Sequence, residues 1–357
     1  MINVTQPHLP DIKKYQKYLK SIYKSKLLTN NGPLERELTS RLSEYLGVKN
    51  ILLVANGTIA LSVAYKLLGI TKSVITTPFS FVATTSSMVW DNITPVFSDI
   101  NSKTFNLEVS YLDSVISSEI EAIVPVHVYG NACDIDSIQK FAVKNRINVI
   151  YDASHAFDVK YKSESILNFG DISTLSFHAT KLFHTVEGGA LIIKDDELYN
   201  KAKQIINFGY SESGGIENIG VNAKLSEFHA AMGLANLDDI DEIFKAREHI
   251  VNEYICLLDG VLEYQEYNKD CTRNFSYFPV LFDNEKTLEK CVQRLNSKGI
   301  FPRRYFTPSL NKLTYIKNAP EMMNSENIAS RILCLPLYEA LEDKDVKFIV
   351  DLIKEAI

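Results

Sequence analysis

Residues 170–193 read GDISTLSFHATKLFHTVEGGALII. Ile172 to Phe177 is rich in β formers, His178-Ala179-Thr180 is a small-residue turn, and Lys181 follows it. Glu187-Gly188-Gly189 then leads into a second apolar run, Ala190 to Ile193. The pattern predicts two strands flanking a loop that carries one lysine. Most lysines are solvated surface charges, and that plain reading competes here. Lysine is almost never buried unpaired, however, and both flanking strands read as buried. A lysine held in such a place loses its charge readily and becomes a nucleophilic amine, the chemistry that forms Schiff bases. Lys181 is therefore the first candidate catalytic residue.

The rest of the chain sets bounds on that chemistry. A length of 357 residues predicts two domains, at about 150 residues each. An apolar content of 46% with 23% charged residues is that of an ordinary globular protein. The net charge of −6 and the lack of a long basic run argue against nucleic acid as a partner. No apolar run approaches the about 20 residues of a membrane span, and the first residues carry no signal segment. Five scattered cysteines without a Cys-x-x-Cys pair read as free thiols in a reducing compartment. The expectation is a cytoplasmic protein with no membrane partner.

A helical pattern through Ile12, Tyr15, Leu19 and Ile22 opens the chain, and Leu28-Thr29-Asn30-Asn31-Gly32-Pro33 has loop chemistry. That loop reads equally as a connector or as a polar surface turned to a substrate. Leu34 to Leu46 is a second amphipathic helix, stopped by Gly47. Ile51 to Val54 is a short strand that runs through Asn56-Gly57-Thr58 into a helix. Such a turn presents free backbone N–H groups and the positive end of a helix dipole, which suits a phosphate, although Asn before a helix is commonly just a cap. Strands follow at 74–77, 95–99, 123–128 and 149–152, with helical patterns between them. Strand–helix alternation with apolar strands predicts a parallel sheet covered on both faces, with ligands at the carboxyl ends of the strands. From Leu225 to Leu258 the chain reads mostly helical, and a smaller α/β pattern follows. The expected division is a large domain over 1–240 and a small one over 241–357.

The strand ends gather Asn56-Gly57-Thr58, Phe79 to Phe81, His127 to Tyr129, Asp152, His155 and Ser176 to Lys181. A lysine for Schiff-base chemistry, a strand-end aspartate for a protonated ring nitrogen, a helix start for a phosphate and an aromatic for stacking are the requirements of pyridoxal phosphate. The plainer alternatives are a cap for Asp152 and a structural histidine for His155. His127, His155, His178 and His184 fit no metal-ligand spacing, so no metal is expected. A nucleotide-dependent hydride transfer would need Gly-x-Gly-x-x-Gly after the first strand, and Asn56-Gly57-Thr58 lacks it.

The motifs, taken in order, resemble the DegT/DnrJ/EryC1/StrS family of sugar-nucleotide aminotransferases. They are Asn56-Gly57-Thr58, Pro78 to Thr84, Pro125 to Gly130, Asp152 to Ala156, Ser176 to Lys181, Glu187-Gly188-Gly189 and Asn222 to Glu227. The resemblance implies the type I, aspartate-aminotransferase-like fold. It implies that Lys181 bonds pyridoxal 5'-phosphate and moves protons, that Asp152 pairs with its ring nitrogen, and that His155 meets its phenolic oxygen. It also implies that Phe81 stacks on the ring, and that Gly57, Thr58 and Ser176 bind the phosphate. Asn222 would reach the phosphate of a neighbouring subunit, making a homodimer with shared active sites. Ala223, Lys224 and Asp158 depart from the family pattern without touching these positions.

The implied reaction moves the amino group of L-glutamate to a nucleotide-linked keto sugar. Val4 to Pro10, Leu28 to Pro33 and Phe177 to Lys181 resemble the subgroup that aminates TDP-4-keto-6-deoxy-D-glucose at C4. A 3-keto sugar, or a 4-keto sugar on UDP or GDP, is the alternative acceptor, and a non-catalytic cofactor-binding regulator is the alternative class. The same resemblance turns Lys26, Thr29, Asn30 and His127 towards the sugar, and suggests a role in O-antigen or another surface polysaccharide.

Overall fold

The computed structural model describes residues 1–211 and 213–357. Seven strands form the main sheet: β1 (Ile51–Val54), β2 (Ser73–Thr76), β3 (Thr94–Phe97), β4 (Ile120–Val124), β5 (Asn148–Asp152), β6 (Ile172–Ser176) and β7 (Gly189–Ile193). Their order across the sheet is β1-β7-β6-β5-β4-β2-β3. All run parallel except β7, which is antiparallel to both neighbours. The stretch 170–193 thus forms β6 and β7 side by side, with the Lys181 loop joining them.

Strand periodicity builds the layers. Ile51 and Leu53 of β1 face one core with Val149 and Tyr151 of β5. Leu52 and Val54 face the other with Ile150. Helices Ile12–Ser25, Pro33–Leu46, Ile135–Asn145 and Glu227–Leu237 supply side chains to the first core. Helices Gly57–Leu67, Val82–Trp90 and Asp196–Ile205 supply the second. The product is a three-layer α/β/α arrangement around near-continuous apolar strands, as a sheet covered on both faces requires.

Helix Ile240–Leu258 leads to a smaller antiparallel sheet of Glu263–Tyr264, Pro279–Leu281 and Ile332–Cys334. It packs with helices Glu285–Ser297 and Asp343–Lys354 around a core of its own. The N-terminal strand Ile2–Asn3 pairs with Ile300–Phe301, so the start of the chain is tied to this C-terminal part. The strand read over 123–128 is interrupted after Val124 at Pro125, which has no N–H to give, and its pairing with β5 resumes at Val126 opposite Asp152. Beyond it the His127 N–H still reaches the Asp152 carbonyl at 3.1 Å. Among the described residues, no helix is long and apolar enough to cross a membrane.

Candidate active site

β1, β6 and β5 point the same way, so Asn56-Gly57-Thr58, Ser176 and Asp152 meet at one edge of the sheet. Gly189, the first residue of β7, lies opposite both Val54 and Ser176 there. A Cβ on Gly189 would fall 2.6 Å from the Asn56 carbonyl carbon, and one on Gly57 would fall 2.9 Å from the Ser176 Cβ. These glycines let the β1 turn close down on the strand ends. A cavity of about 270 Å³ opens above that edge, lined by Gly57, Thr58, Phe81, Asp152, His155, Ser176 and Lys181 among others.

The turn ahead of Lys181 is closed by its own N–H to the His178 carbonyl at 2.8 Å. Its side chain is partly buried, and the amine lies 3.2 Å from the Tyr277 hydroxyl. Burial pulls its pKa down to about 8, while the charge of Asp152 acts the other way. Relative to an ordinary lysine, whose value is 10.5, the amine gives up its proton much closer to neutral pH.

Asp152 closes β5 and is 4% exposed. One carboxylate oxygen accepts the Thr84 hydroxyl at 2.8 Å, and the other accepts the Ser154 N–H at 3.1 Å. Thr84 itself contacts the Ser80 hydroxyl at 2.9 Å, so helix Val82–Trp90 braces the carboxylate. His155 is also buried, and its Nδ1 accepts the Tyr129 N–H at 3.2 Å. Burial, then the nearby Lys181 and His127, push its pKa well below the ordinary value. The ring is therefore neutral with its proton on Nε2, which is a donor. Phe306 stacks on it at 5.5 Å and Tyr277 meets it edge-on at 4.9 Å.

At the start of helix Gly57–Leu67 the Asn56 side chain caps the Ile59 N–H at 2.8 Å. The amides of Gly57 and Thr58 are left to the cavity, at the positive end of the helix. Phe81 precedes helix Val82–Trp90 and is 53% exposed at the cavity.

Other expected residues lie elsewhere. His127 does not face the cavity. It is fully buried, its Nδ1 accepts the Cys133 N–H at 3.1 Å, and its ring stacks on Tyr151 at 4.6 Å. Burial pulls its pKa down to about 3. The chain keeps its pairing with β5 through Val126 and puts this ring into the core, so His127 is not at the cavity where a substrate contact was expected. Lys26, Thr29 and Asn30 are exposed and outside the cavity of this chain. Their loop is fastened at Leu28, whose carbonyl accepts the Glu227 N–H at 3.0 Å. Asn222 is exposed and likewise outside the cavity. Sequence reasoning missed Tyr277 and Tyr305, which line the cavity from the C-terminal part of the chain. Thr84 stood only inside a quoted motif, without a role.

A lysine tuned towards the free amine, an anchored carboxylate and an anion-ready helix start belong together in enzymes that handle amino groups. Comparison with known proteins makes the class specific. The chain belongs to the DegT/DnrJ/EryC1/StrS aminotransferase family, whose pattern matches residues 10–354. It is 40% identical to a dTDP-4-amino-4,6-dideoxy-D-glucose transaminase of Shigella dysenteriae, over 99% of this chain and 98% of that one. It is 36% identical to a transaminase of the same description from Escherichia coli, with the same coverage. The crystal structure of DesI in the presence of its TDP-sugar product superposes with a TM-score of 0.94 at 30% identity, over 99% of this chain and 92% of that one. The chain is an aminotransferase.

Proposed function

We propose that this aminotransferase uses pyridoxal 5'-phosphate to move the amino group of L-glutamate to C4 of TDP-4-keto-6-deoxy-D-glucose, giving TDP-4-amino-4,6-dideoxy-D-glucose. The observation that carries the cofactor is the placing of a part-neutral lysine and a buried aspartate around one cavity, beside a glycine cradle that side chains would fill. The 40% identical relative is named for the same product, which supports the sugar.

The residues fit the group. Gly57 and Thr58 would hold its phosphate with backbone amides, helped by the Ser176 hydroxyl. Asp152, buried and doubly hydrogen-bonded, would hold a proton on the ring nitrogen. His155 would donate Nε2–H to the phenolic oxygen, since its Nδ1 is already taken. Phe81 would cover the ring. When bound, the cofactor supplies a carbonyl carbon for amine capture and a ring that accepts the electron pair left by Cα–H cleavage.

Lys181 then does the proton work. As a free amine it would take the Cα proton of glutamate, hold it at Nζ and give it back on the other side of the transfer, and on the sugar half it would work in the opposite sense. Its neutral form is the competent one, and burial supplies it near neutral pH.

Asn222 stands outside this cavity, beside the exposed apolar residues Phe208, Tyr210, Ile219 and Val221. That supports a homodimer in which Asn222 completes the partner's phosphate site, and in which the exposed Lys26, Thr29 and Asn30 serve the sugar nucleotide. The division at 240/241, and the cytoplasm as location, belong to the same proposal.

The test is to load the purified protein with pyridoxal phosphate and add L-glutamate with TDP-4-keto-6-deoxyglucose, or with its UDP, GDP and 3-keto counterparts, reading products by mass and NMR. A C4-aminated TDP sugar bears the proposal out. Turnover of glutamate with only another acceptor keeps the enzyme class and rejects the sugar. No glutamate turnover at all rejects the catalytic reading in favour of a cofactor-binding regulator.

A further inference from the structure

The mechanism above leaves one contact of Lys181 unused. Tyr277 lines the cavity, and also the small void of about 10 Å³ behind the lysine. Its hydroxyl is 3.2 Å from the Lys181 amine. It is the only side chain recorded at hydrogen-bond distance from that amine among the described residues.

The segment bearing Tyr277 is fixed from two sides. The buried Arg247 donates to the Phe275 carbonyl at 3.1 Å, the Ser276 carbonyl at 3.0 Å and the Leu337 carbonyl at 3.1 Å. On the other side the Asn274 amide and the Ser276 hydroxyl donate to the His155 carbonyl at 2.8 and 3.1 Å. The ring is held edge-on to His155 and Tyr305. The phenol is thus set in place before any ligand arrives, on a scaffold shared with His155.

Burial pushes the phenol well above its ordinary range, so it stays protonated at working pH. A protonated phenol can donate to the neutral amine and accept from the ammonium. It can therefore hold Lys181 in both states of a proton transfer.

We infer that Tyr277 is a positioning residue for Lys181: its hydroxyl holds the lysine amine in line with the reacting carbon whenever that amine is free of the cofactor. The inference rests on the proposed role of Lys181. It adds that the C-terminal part of the chain sets the aim of the proton carrier, through a tyrosine that no motif signals. A misaimed base loses rate without losing substrate affinity.

The experiment compares wild type with Tyr277→Phe, which removes one oxygen and keeps the packed ring. Two readouts are taken. In the cofactor-free protein, the pH midpoint for modification of Lys181 by an amine-selective acylating reagent is followed by peptide mass spectrometry. In the loaded protein, the single-turnover glutamate half-reaction is followed by absorbance. The ammonium loses a charge-assisted acceptor in the variant, so the labelling midpoint is expected to fall by about half a pH unit or more. The half-reaction is expected to slow about tenfold or more, with the half-saturating glutamate concentration changed by less than about twofold. An unchanged labelling midpoint overturns the inference even if turnover drops, since that marks a packing role only. An unchanged half-reaction rate overturns it as well. Should wild type bind no cofactor, the function proposed above fails, and the labelling arm still decides whether the hydroxyl holds the lysine.

Discussion

Glu227 is fully buried at the start of helix Glu227–Leu237, and its carboxylate spans two chain segments. One oxygen accepts the Glu35 N–H at 2.8 Å and the other the Leu34 N–H at 3.0 Å. These are orphan donors at the start of helix Pro33–Leu46, where Gly32 offers no capping side chain. A Cβ on Gly32 would fall 2.5 Å from the Glu227 carboxyl carbon, so the glycine is what lets the acid in. Glu227→Ala strands both N–H groups, each at a cost of about 1–3 kcal/mol. We expect a loss of about 3 kcal/mol locally, read by hydrogen exchange as about a hundredfold faster exchange at the Leu34 and Glu35 amides. Gly32→Ala should reproduce most of that loss. In a Glu227→Ala background, Gly32→Ala should cost at least about 1 kcal/mol less, because the pair is in contact. Exchange at both amides within about threefold of wild type would refute the anchoring role, since no other side chain caps those groups.

Four further outcomes follow from the geometry. Lys181→Ala should abolish glutamate turnover and the absorbance of the lysine-bound cofactor, and the rate of cofactor capture by wild type should rise with pH around a midpoint near 8 rather than 10.5, checked by stopped-flow absorbance. Gly57→Ala places a methyl against Ser176 and in the phosphate cradle, so cofactor affinity should fall at least about tenfold by equilibrium dialysis, at a cost of about 1.4 kcal/mol or more. Thr84→Val removes the hydroxyl that bonds both buried Asp152 and Ser80, so it should slow the glutamate half-reaction and also lower the thermal midpoint, by about 1–3 kcal/mol of stability, read by calorimetry. Burial, with the neighbouring Glu227 adding to it, raises the Glu35 pKa from 4.5 to about 7. Between those values the native state binds more protons than the unfolded one, so stability falls as pH rises through that window and stays lower above it. Glu35→Gln should therefore be more stable than wild type at pH 8 and no more stable at pH 4.5, as urea titrations at the two values would show.

The strands and the Lys181 loop were legible because they are local. Alternating and continuous apolar runs mark where a chain can be buried on both faces, and glycine with asparagine marks the turns between. Asp152 was legible because it ends such a run, and Gly57 because it opens a helix after one. The antiparallel course of β7 was not written in its residues, since Ala190 to Ile193 would suit either direction. His127 stood at a strand end like Asp152, yet its ring packs in the core against Tyr151.

Tyr277 shows the limit most clearly. It lies 96 residues from Lys181 along the chain, in a segment whose own pattern says only strand. Its place is fixed by Arg247 and Asn274, which satisfy backbone carbonyls that local pairing leaves open. Which residues can be buried, where the chain bends and which lysine sits between strands could be read from the residues alone, because these depend on neighbours in the chain. Which phenol meets that lysine, and which histidine faces away, emerged with the folded chain, because those contacts join segments whose approach is set by packing the whole molecule.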